Sequence, residues 1–430
     1  RAMKAKHVWW STAALVTAGV VAATAAVGVE VQRTYDQLDH GQPYKQAEPE
    51  TLLQPVEPGE IDTAALKAKL DELGKDKALA TFGGQVIDTT THEVLWEREP
   101  AKPLTPASST KVLTLAAATL ALDEEERLTT EVVKGDNDGD VVIKASGDVW
   151  LTDERLDELA EQIKKHMSTV NRVSIDTSVW AGPDQAPGWD DDNIDGGYVA
   201  PIQPAMLYGG RIGEKTGDVP RSHEPALDVA RALASRLGTD KADMAPAPDN
   251  AEAIASSESD PLALRAQQAA KDSDNVMAEA IARELAISQD AEASFDGAAQ
   301  STLDVLSGAG IDVNGVTLKD GSGLSRDNRI PAGLLAHIAD QAVATEELRP
   351  LLGYLPLAGG EGTLYERYSD SPARGFVRAK TGTLTGTSAL TGTAQGQSGR
   401  VYAFAFLVND GEVTSARQAQ DALAAALHDF

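Results

Sequence analysis

Apolar side chains in the first part of the chain recur with two different spacings. Between residues 64 and 73 they follow the spacing of a helix, and Gly74 ends this pattern. Two later runs, around 84–88 and 93–97, have the character of β-strands and are joined by a turn at 89–91. The pattern therefore predicts a helix followed by a hairpin.

A nearly uninterrupted apolar stretch, 108–122, follows Pro103 and Pro106, which break the chain. It has no polar face, and a helix of that kind is normally buried in the middle of a domain. We therefore expect a buried central helix that begins at Ser108.

The rest of the chain divides into a polar middle part and a later part rich in regular elements. Residues 131–258 contain short strand-like runs, many Asp and Gly residues, and one amphipathic helix near 153–165, which indicates an inserted domain. The later elements are predicted as helices at 261–270, 275–286 and 415–427 and strands at 376–381, 386–394 and 401–408. This order predicts an α+β fold, an antiparallel sheet covered by helices, whose two parts (61–130 and 259–430) are interrupted by a β-rich insert.

The amino terminus has the pattern of an export signal. Three basic residues within the first six precede an uncharged run of 22 residues, Val8 to Val29, which is long enough to span a bilayer. The small residues at 23–25 resemble a cleavage site. We expect 1–29 to be a signal peptide or membrane anchor, 30–60 to be a proline-containing linker, and the remainder to lie outside the cytoplasm.

Composition and charge exclude several classes of function. The chain has no cysteine, its seven histidines are scattered, and it lacks a His-Glu-x-x-His motif, so a zinc hydrolase is disfavoured and no cofactor or metal is expected. The formal net charge of −28 argues against a nucleic-acid partner, because phosphate binding needs clustered Lys and Arg.

Three short motifs carry candidate chemistry: Ser-x-x-Lys at 108–111, Ser-Asp-Asn at 273–275 and Lys-Thr-Gly at 380–382. A serine hydroxyl is a weak nucleophile unless a base takes its proton, and Ser108 and Lys111 lie one helical turn apart. Lys111 must be neutral to act as that base, and burial together with the charge of Lys380 would lower its pKa. At the start of a helix the N–H of Ser108 is free to form half of an oxyanion hole.

The other two motifs supply candidate partners for Ser108. Ser273 and Asn275 are two residues apart in a break between helices, where the serine can relay a proton and the asparagine can hold a substrate amide. Lys380 and Thr381 on a probable strand would attract a substrate carboxylate. Gly382 would let an extended peptide approach that strand, and the N–H of Thr383 would complete the oxyanion hole.

A second Lys-Thr-Gly, at 215–217, lies among polar turn residues before Ser273. The copy at 380–382 follows a strand-like run and comes last of the three motifs, so we regard the copy at 215–217 as a coincidence.

Together these motifs resemble a known family. Pro-Ala-Ser-Ser-Thr-Lys at 106–111, Ser-Asp-Asn at 273–275, Asp-Gly-Ser-Gly-Leu-Ser-Arg at 320–326 and Lys-Thr-Gly-Thr at 380–383 look like the D-alanyl-D-alanine carboxypeptidase/endopeptidase family. These are the class C low-molecular-mass penicillin-binding proteins, peptidase family S13. The resemblance covers roughly 61–430, and its most diagnostic part, at 320–326, is not shared by the β-lactamases.

The resemblance implies a penicillin-binding, transpeptidase-like domain split by inserted sequence. Ser108 and Ser273 are 165 residues apart, fewer than in the long members of the family, so an inserted domain is reduced or absent. The substrate would be a peptidoglycan stem peptide ending in D-Ala-D-Ala, cleaved through an acyl-enzyme on Ser108, and β-lactam antibiotics would acylate the same serine. The family pattern also implies a pocket for the stem-peptide side chain formed by Ser322, Leu324, Arg326, Trp189, Asp192 and Tyr198.

Three other functions are less well supported. A class A β-lactamase would carry a loop Glu with an Asn four residues later, and none of the four asparagines between Lys111 and Ser273 has a Glu in that place. A non-catalytic wall-binding scaffold would not be expected to keep Ser108 and all its candidate partners. An α/β-hydrolase-type esterase would need a Gly-x-Ser-x-Gly elbow, which is missing. Carboxypeptidase and endopeptidase activity remain equally compatible with the sequence.

Overall fold

A computed structural model describes residues 2–36 and 57–430, so most of the predicted linker lies outside the described residues. Helix α1 (Ala2–Asp36) belongs to one unit and residues 57–430 form another. In α1 the segment Leu15–Tyr35 is apolar and long enough to cross a membrane, and none of it is buried by protein. This segment overlaps the predicted signal or anchor.

Residues 57–430 fold into helices and short strands. The remaining helices are α2 (Thr63–Leu73), α3 (Thr110–Ala121), α4 (Asp153–His166), α5 (Pro225–Leu237), α6 (Leu262–Lys271), α7 (Asn275–Ser288), α8 (Phe295–Gly308), α9 (Ala332–Ala344), α10 (Pro350–Tyr354) and α11 (Val413–Ala426). The strands are β1 (Thr81–Asp88), β2 (Glu93–Arg98), β3 (Pro103–Leu104), β4 (Thr129–Lys134), β5 (Asp140–Lys144), β6 (Asp148–Leu151), β7 (Arg172–Asp176), β8 (Ala205–Leu207), β9 (Ala242–Met244), β10 (Ala253–Glu258), β11 (Ile330–Pro331), β12 (Val377–Leu384), β13 (Thr387–Gln395) and β14 (Val401–Asn409).

The larger sheet is antiparallel and has the order β12-β13-β14-β1-β2. Its strand β14 is almost continuously apolar because both faces are covered. Ala403, Ala405 and Leu407 join the core that contains α3, α7 and α9, whereas Phe404 and Phe406 join the core that contains α2 and α11. The predicted α+β architecture, an antiparallel sheet covered by helices, is confirmed.

The middle of the chain forms a second five-stranded sheet, with the order β10-β4-β5-β7-β9. Strands β10, β4 and β5 pair antiparallel, but β5-β7 and β7-β9 are parallel, and both α4 and α5 pack on this sheet. The sequence pattern predicted one helix here, and α5 was not predicted, although its apolar residues follow helical spacing and Gly238 ends it in a left-handed conformation. The boundaries of the insert stay a prediction.

Two glycines allow separate segments to pack against the turn that precedes α3. A Cβ added to Gly382 on β12 would lie 2.7 Å from the carbonyl oxygen of Pro106. One added to Gly323 would lie only 1.9 Å from the carbonyl oxygen of Ala107. The close approach at Gly382 is therefore to the protein's own turn, a use of this glycine that the sequence did not predict.

The tight contact at Gly323 predicts a measurable loss of stability. Gly323 and Gly375 have nearly the same left-handed φ, +84° and +81°, but Gly375 has no atom within 4 Å of an added Cβ. Gly375→Ala should carry only the backbone strain, on the order of 1–3 kcal/mol, whereas Gly323→Ala adds a clash with backbone. We expect Gly323→Ala to lower the thermal unfolding midpoint clearly further than Gly375→Ala. Equal midpoints would show that the contact is not tight.

Candidate active site

Ser108 lies in a single 3₁₀ turn, Ala107–Ser109, that leads directly into α3. Lys111, one turn further along, is fully buried and its Nζ donates to Ser108 Oγ at 3.2 Å. The same amino group donates to Asn275 Oδ1 and to the carbonyl oxygen of Ser322, both at 2.7 Å. All three donors of the ammonium group are thus used, and the first two predicted motifs meet at one nitrogen.

The environment of Lys111 brings it close to neutrality. Burial lowers the pKa of Lys111 to about 8, although the nearby carboxylates of Asp320, Glu279 and Asp274 act in the opposite direction. A lysine with such a pKa is partly neutral near physiological pH, as a proton acceptor for a serine hydroxyl must be.

The Lys-Thr-Gly motif at 380–382 contacts the Ser-Asp-Asn motif at 273–275 through a hydrogen bond. Lys380 Nζ donates to Ser273 Oγ at 2.9 Å and to the carbonyl oxygen of Thr381 at 2.8 Å. Burial, and then the charge of Lys111, hold the pKa of Lys380 well below its usual range. Ser273 lies between α6 and α7 with a left-handed φ of 56°, which is uncommon for a residue with a side chain and frequent at functional sites.

Asn275 is the first residue of α7, and its amide group links two parts of the chain. It accepts from Lys111 through Oδ1 and donates through Nδ2 to the carbonyl oxygen of Tyr198 at 2.9 Å. Asp274 caps the helix by accepting from the N–H of Met277 at 2.9 Å. These contacts fix the orientation of Asn275.

Two arginines that were not predicted from the sequence act on Asp274, one by contact and the other through its charge. Arg211 forms an ion pair with it at 2.9 Å, and both side chains are almost completely buried. Burial raises the pKa of Asp274, but the charges of Arg211 and Arg221 outweigh burial and lower it. The middle part of the chain therefore holds the helix start that carries Asn275.

The turn at 320–326 is organised by the buried carboxylate of Asp320. It accepts from the N–H groups of Gly323 at 2.8 Å and Ser325 at 2.6 Å, and from Trp189 Nε1 at 2.7 Å. The turn thereby presents the carbonyl oxygen of Ser322 to Lys111.

Glu279, which sequence analysis missed, supports the same turn from α7. It is fully buried and accepts from the N–H of Gly321 at 3.0 Å and that of Ser322 at 2.7 Å. Burial, and to a lesser extent the negative charge of Asp320, raise the pKa of Glu279 to about 7. Arg283, whose Nη1 lies 3.6 Å from Glu279 Oε2, acts to lower it. A charged residue within the apolar pattern of α7 was the available signal.

The predicted side-chain pocket is only partly assembled. The side chains of Ser322 and Leu324 are buried in the turn, so Ser322 contributes its carbonyl instead. Trp189 packs edge-on against Phe295 at 5.3 Å and is held by Asp320. Arg326 is paired with Asp190 at 2.9 Å.

The remaining two pocket predictions lie on an exposed loop. Tyr198 is half exposed and contacts Asn275 through its carbonyl, and Asp192 is exposed, with its carbonyl accepting from the N–H of Gly196. The described contacts do not bring the Asp192 carboxylate to the other predicted residues.

The exposed end of the third motif has its own partners. Thr381 and Thr383 are two residues apart on the edge strand β12 and so share a face. Thr381 Oγ1 donates to Thr363 Oγ1 at 2.8 Å, and Arg417 Nη2 donates to Thr383 Oγ1 at 2.8 Å. Neither Thr363 nor Arg417 has a local sequence signal, because both are brought in from distant elements.

The second Lys-Thr-Gly, at 215–217, is not part of this cluster. The Nζ of Lys215 lies 4.6 Å from the centre of the Tyr208 ring and 3.6 Å from Asp153.

The chain is similar to known carboxypeptidases along most of its length. The model of the D-Ala-D-Ala carboxypeptidase 3 (S13) family matches residues 66–221 and 213–429. Carboxypeptidase DacB of Mycolicibacterium smegmatis is 43% identical over 371 residues, which cover 81% of this chain and 80% of that protein. The D-alanyl-D-alanine carboxypeptidase of Actinomadura sp. is 27% identical over 457 residues, which cover 85% of this chain and 85% of that protein.

The fold has also been solved in a relative. The crystal structure of penicillin-binding protein 4 from Haemophilus influenzae has a TM-score of 0.71 at 22% identity, over 86% of this chain and 99% of that one. At this identity the likeness shows the fold alone, and it confirms the predicted penicillin-binding architecture. The family model and the 43% identical relative establish more: this chain is an enzyme that belongs to the D-Ala-D-Ala carboxypeptidase 3 (S13) family.

Proposed function

We propose that Ser108 is the nucleophile of a carboxypeptidase that removes the terminal D-alanine from peptidoglycan stem peptides ending in D-Ala-D-Ala. The observation that carries this proposal is the 3.2 Å contact between Ser108 Oγ and the fully buried Nζ of Lys111. Membership of the D-Ala-D-Ala carboxypeptidase family supplies the substrate class. A β-lactam would acylate the same serine, and penicillin-binding protein 4 of H. influenzae has been solved with a β-lactam bound.

In the acylation step neutral Lys111 takes the proton of Ser108 Oγ, which attacks the carbonyl carbon of the penultimate D-alanine. The N–H groups of Ser108 and Thr383 stabilise the resulting oxyanion. The peptide C–N bond then breaks as the proton held by Lys111 passes through Ser273 Oγ, which Lys380 contacts, to the leaving nitrogen. Lys111 is thereby neutral again. D-Alanine leaves, and the peptide remains as an ester on Ser108.

In the second step water attacks the ester carbonyl and gives one proton to Lys111. The ester C–O bond then breaks, and Lys111 returns that proton to Ser108 Oγ, which leaves as the hydroxyl. Asn275 and the edge strand β12 hold the peptide during both steps: the strand through its backbone edge beyond Ala379, the asparagine through its amide. The first part of that edge is occupied, because Val377 and Ala379 form backbone hydrogen bonds with Ala358 and Pro356. Trp189, Tyr198, Asp192 and Arg326 remain candidates for the side chain of the stem peptide.

We also assign the apolar segment of α1 to export. Its 21 residues, Leu15–Tyr35, carry the length and hydropathy of a membrane span, and the positive residues before it would stay inside. The catalytic part would then lie outside the cytoplasm, held to the membrane by α1.

Labelling with a fluorescent penicillin tests the nucleophile. The wild-type enzyme should take up one label per chain and release D-alanine from a stem pentapeptide, and Ser108→Ala should do neither while keeping its thermal unfolding midpoint. Ser109→Ala, one residue away in the same turn, serves as the control and should still be labelled. A Ser108→Ala protein that labels as well as wild type would show that the assignment is wrong.

The pH dependence of acylation tests Lys111. Because the base must be neutral and the pKa of Lys111 is about 8, the rate constant for acylation should rise with pH and level off above a midpoint near 8. Lys111→Arg retains the cation but cannot lose the proton, and should acylate more slowly by about 10²-fold or more. A profile that is flat from pH 6 to pH 9 would contradict this role.

Fractionation of cells that express the full sequence tests the anchor. The protein should sediment with membranes and resist alkaline carbonate extraction, because a buried span of this length is held by its apolar surface. A protein that begins at residue 57 should not sediment with them. Recovery of a soluble chain whose amino terminus follows Ala25 would instead identify a cleaved signal peptide.

A further inference from the structure

Arg417 is an unpaired cation beside the exposed end of the third motif. It lies on α11, is exposed, and its Nη2 donates to Thr383 Oγ1 at 2.8 Å. The neighbouring carboxylate, Asp421, is already bound by Arg367, with Arg367 Nε 3.0 Å from its Oδ2. Among residues 57–430 Arg417 forms no ion pair, so its remaining donors are free for an anion.

Other cations near β12 do not fill this role. Lys380 is fully enclosed and its amino group is used by Ser273 and the carbonyl of Thr381. In a chain whose formal net charge is −28, Arg417 places a positive charge without a carboxylate partner beside the exposed end of the third motif. Its positive charge would attract an anionic substrate, which the net negative charge of the protein would otherwise repel.

The hydrogen bond to Thr383 prepares that hydroxyl as a donor. A hydroxyl group has one proton and two lone pairs, so once Thr383 Oγ1 accepts from Arg417 its own proton remains available. Thr381 shares the same face of β12. The Thr381 proton, however, is already donated to Thr363 Oγ1. One available hydroxyl donor, that of Thr383, and one guanidinium therefore lie together at the edge strand along which the peptide would lie.

We propose that Arg417 is a specificity-determining residue, which together with Thr383 recognises the free carboxylate of the leaving D-amino acid. This inference rests on the proposed function, since it assigns a residue to the leaving-group side of that reaction. It implies that the enzyme prefers leaving groups that carry a negative charge, and that the preference comes from Arg417.

Two thioester substrates separate this role from a structural one. One is an N-acylated D-alanyl thioester of thioglycolate, whose leaving group carries a carboxylate, and the other is its neutral methyl ester; both are activated enough to be hydrolysed without a strong leaving-group contact. Arg417→Gln should lower kcat/KM for the charged substrate by about tenfold, the size expected for one charge-assisted hydrogen bond, and for the neutral one by less than about twofold. Arg417→Lys should fall between Arg417→Gln and wild type.

The control is Arg374→Gln, which removes another exposed arginine, one that donates to the carbonyl of Gly359 rather than to Thr383. It should leave the ratio of the two kcat/KM values unchanged. In the wild type, added salt should lower that ratio, because charge attraction is screened, and in Arg417→Gln it should have little effect.

Each outcome decides the matter. Equal losses for both substrates would overturn the proposal and leave Arg417 as a support for β12, and no loss for either would overturn it as well. Failure of the proposed function looks different, because wild type would then hydrolyse neither thioester through Ser108 and would take no penicillin label.

Discussion

The burial of the Lys111 amino group is the constraint on which the arrangement depends. An ammonium group removed from water is costly unless every donor finds an acceptor. The acceptors here come from three separate places: Ser108 in the preceding turn, Asn275 at the start of α7, and Ser322 in the turn at 320–326. The fold must bring all three together before Lys111 can be buried, so the same contacts that satisfy it also assemble the site.

The carboxylates around this amino group limit the effect of burial. Burial alone would lower the pKa of Lys111 further, but Asp320, Glu279 and Asp274 oppose it, and the result of about 8 lies close to the pH at which proton transfer is efficient. Each carboxylate has its own fixed partners, such as the backbone N–H groups that Glu279 accepts. The protein thus holds negative charge near the base without exposing it to solvent.

The middle of the chain contributes to the site even though its sheet is separate from the larger one. Arg211 binds the cap of α7, the carbonyl of Tyr198 fixes the amide of Asn275, and Trp189 binds Asp320. Asp274, Asn275 and Asp320, the residues that these contacts reach, all lie within the predicted motifs. The sequence inserted between Ser108 and Ser273 therefore supplies side chains and a backbone carbonyl that hold the motif residues in place.

The sequence by itself determined the motifs, the family and most of the larger sheet, because the spacing of Ser108 and Lys111 and the apolar pattern of β14 are local properties. The helical spacing of apolar residues in α5 and the glycine that ends it are also local properties of the sequence. Tertiary structure alone decided the places of Glu279, Arg211 and Arg417. Their partners lie tens of residues away in sequence, and a single charged residue carries no periodicity that reveals what it will face. Gly382 shows the same limit: its spacing marked it as important, but only packing revealed that its neighbour is the turn before α3.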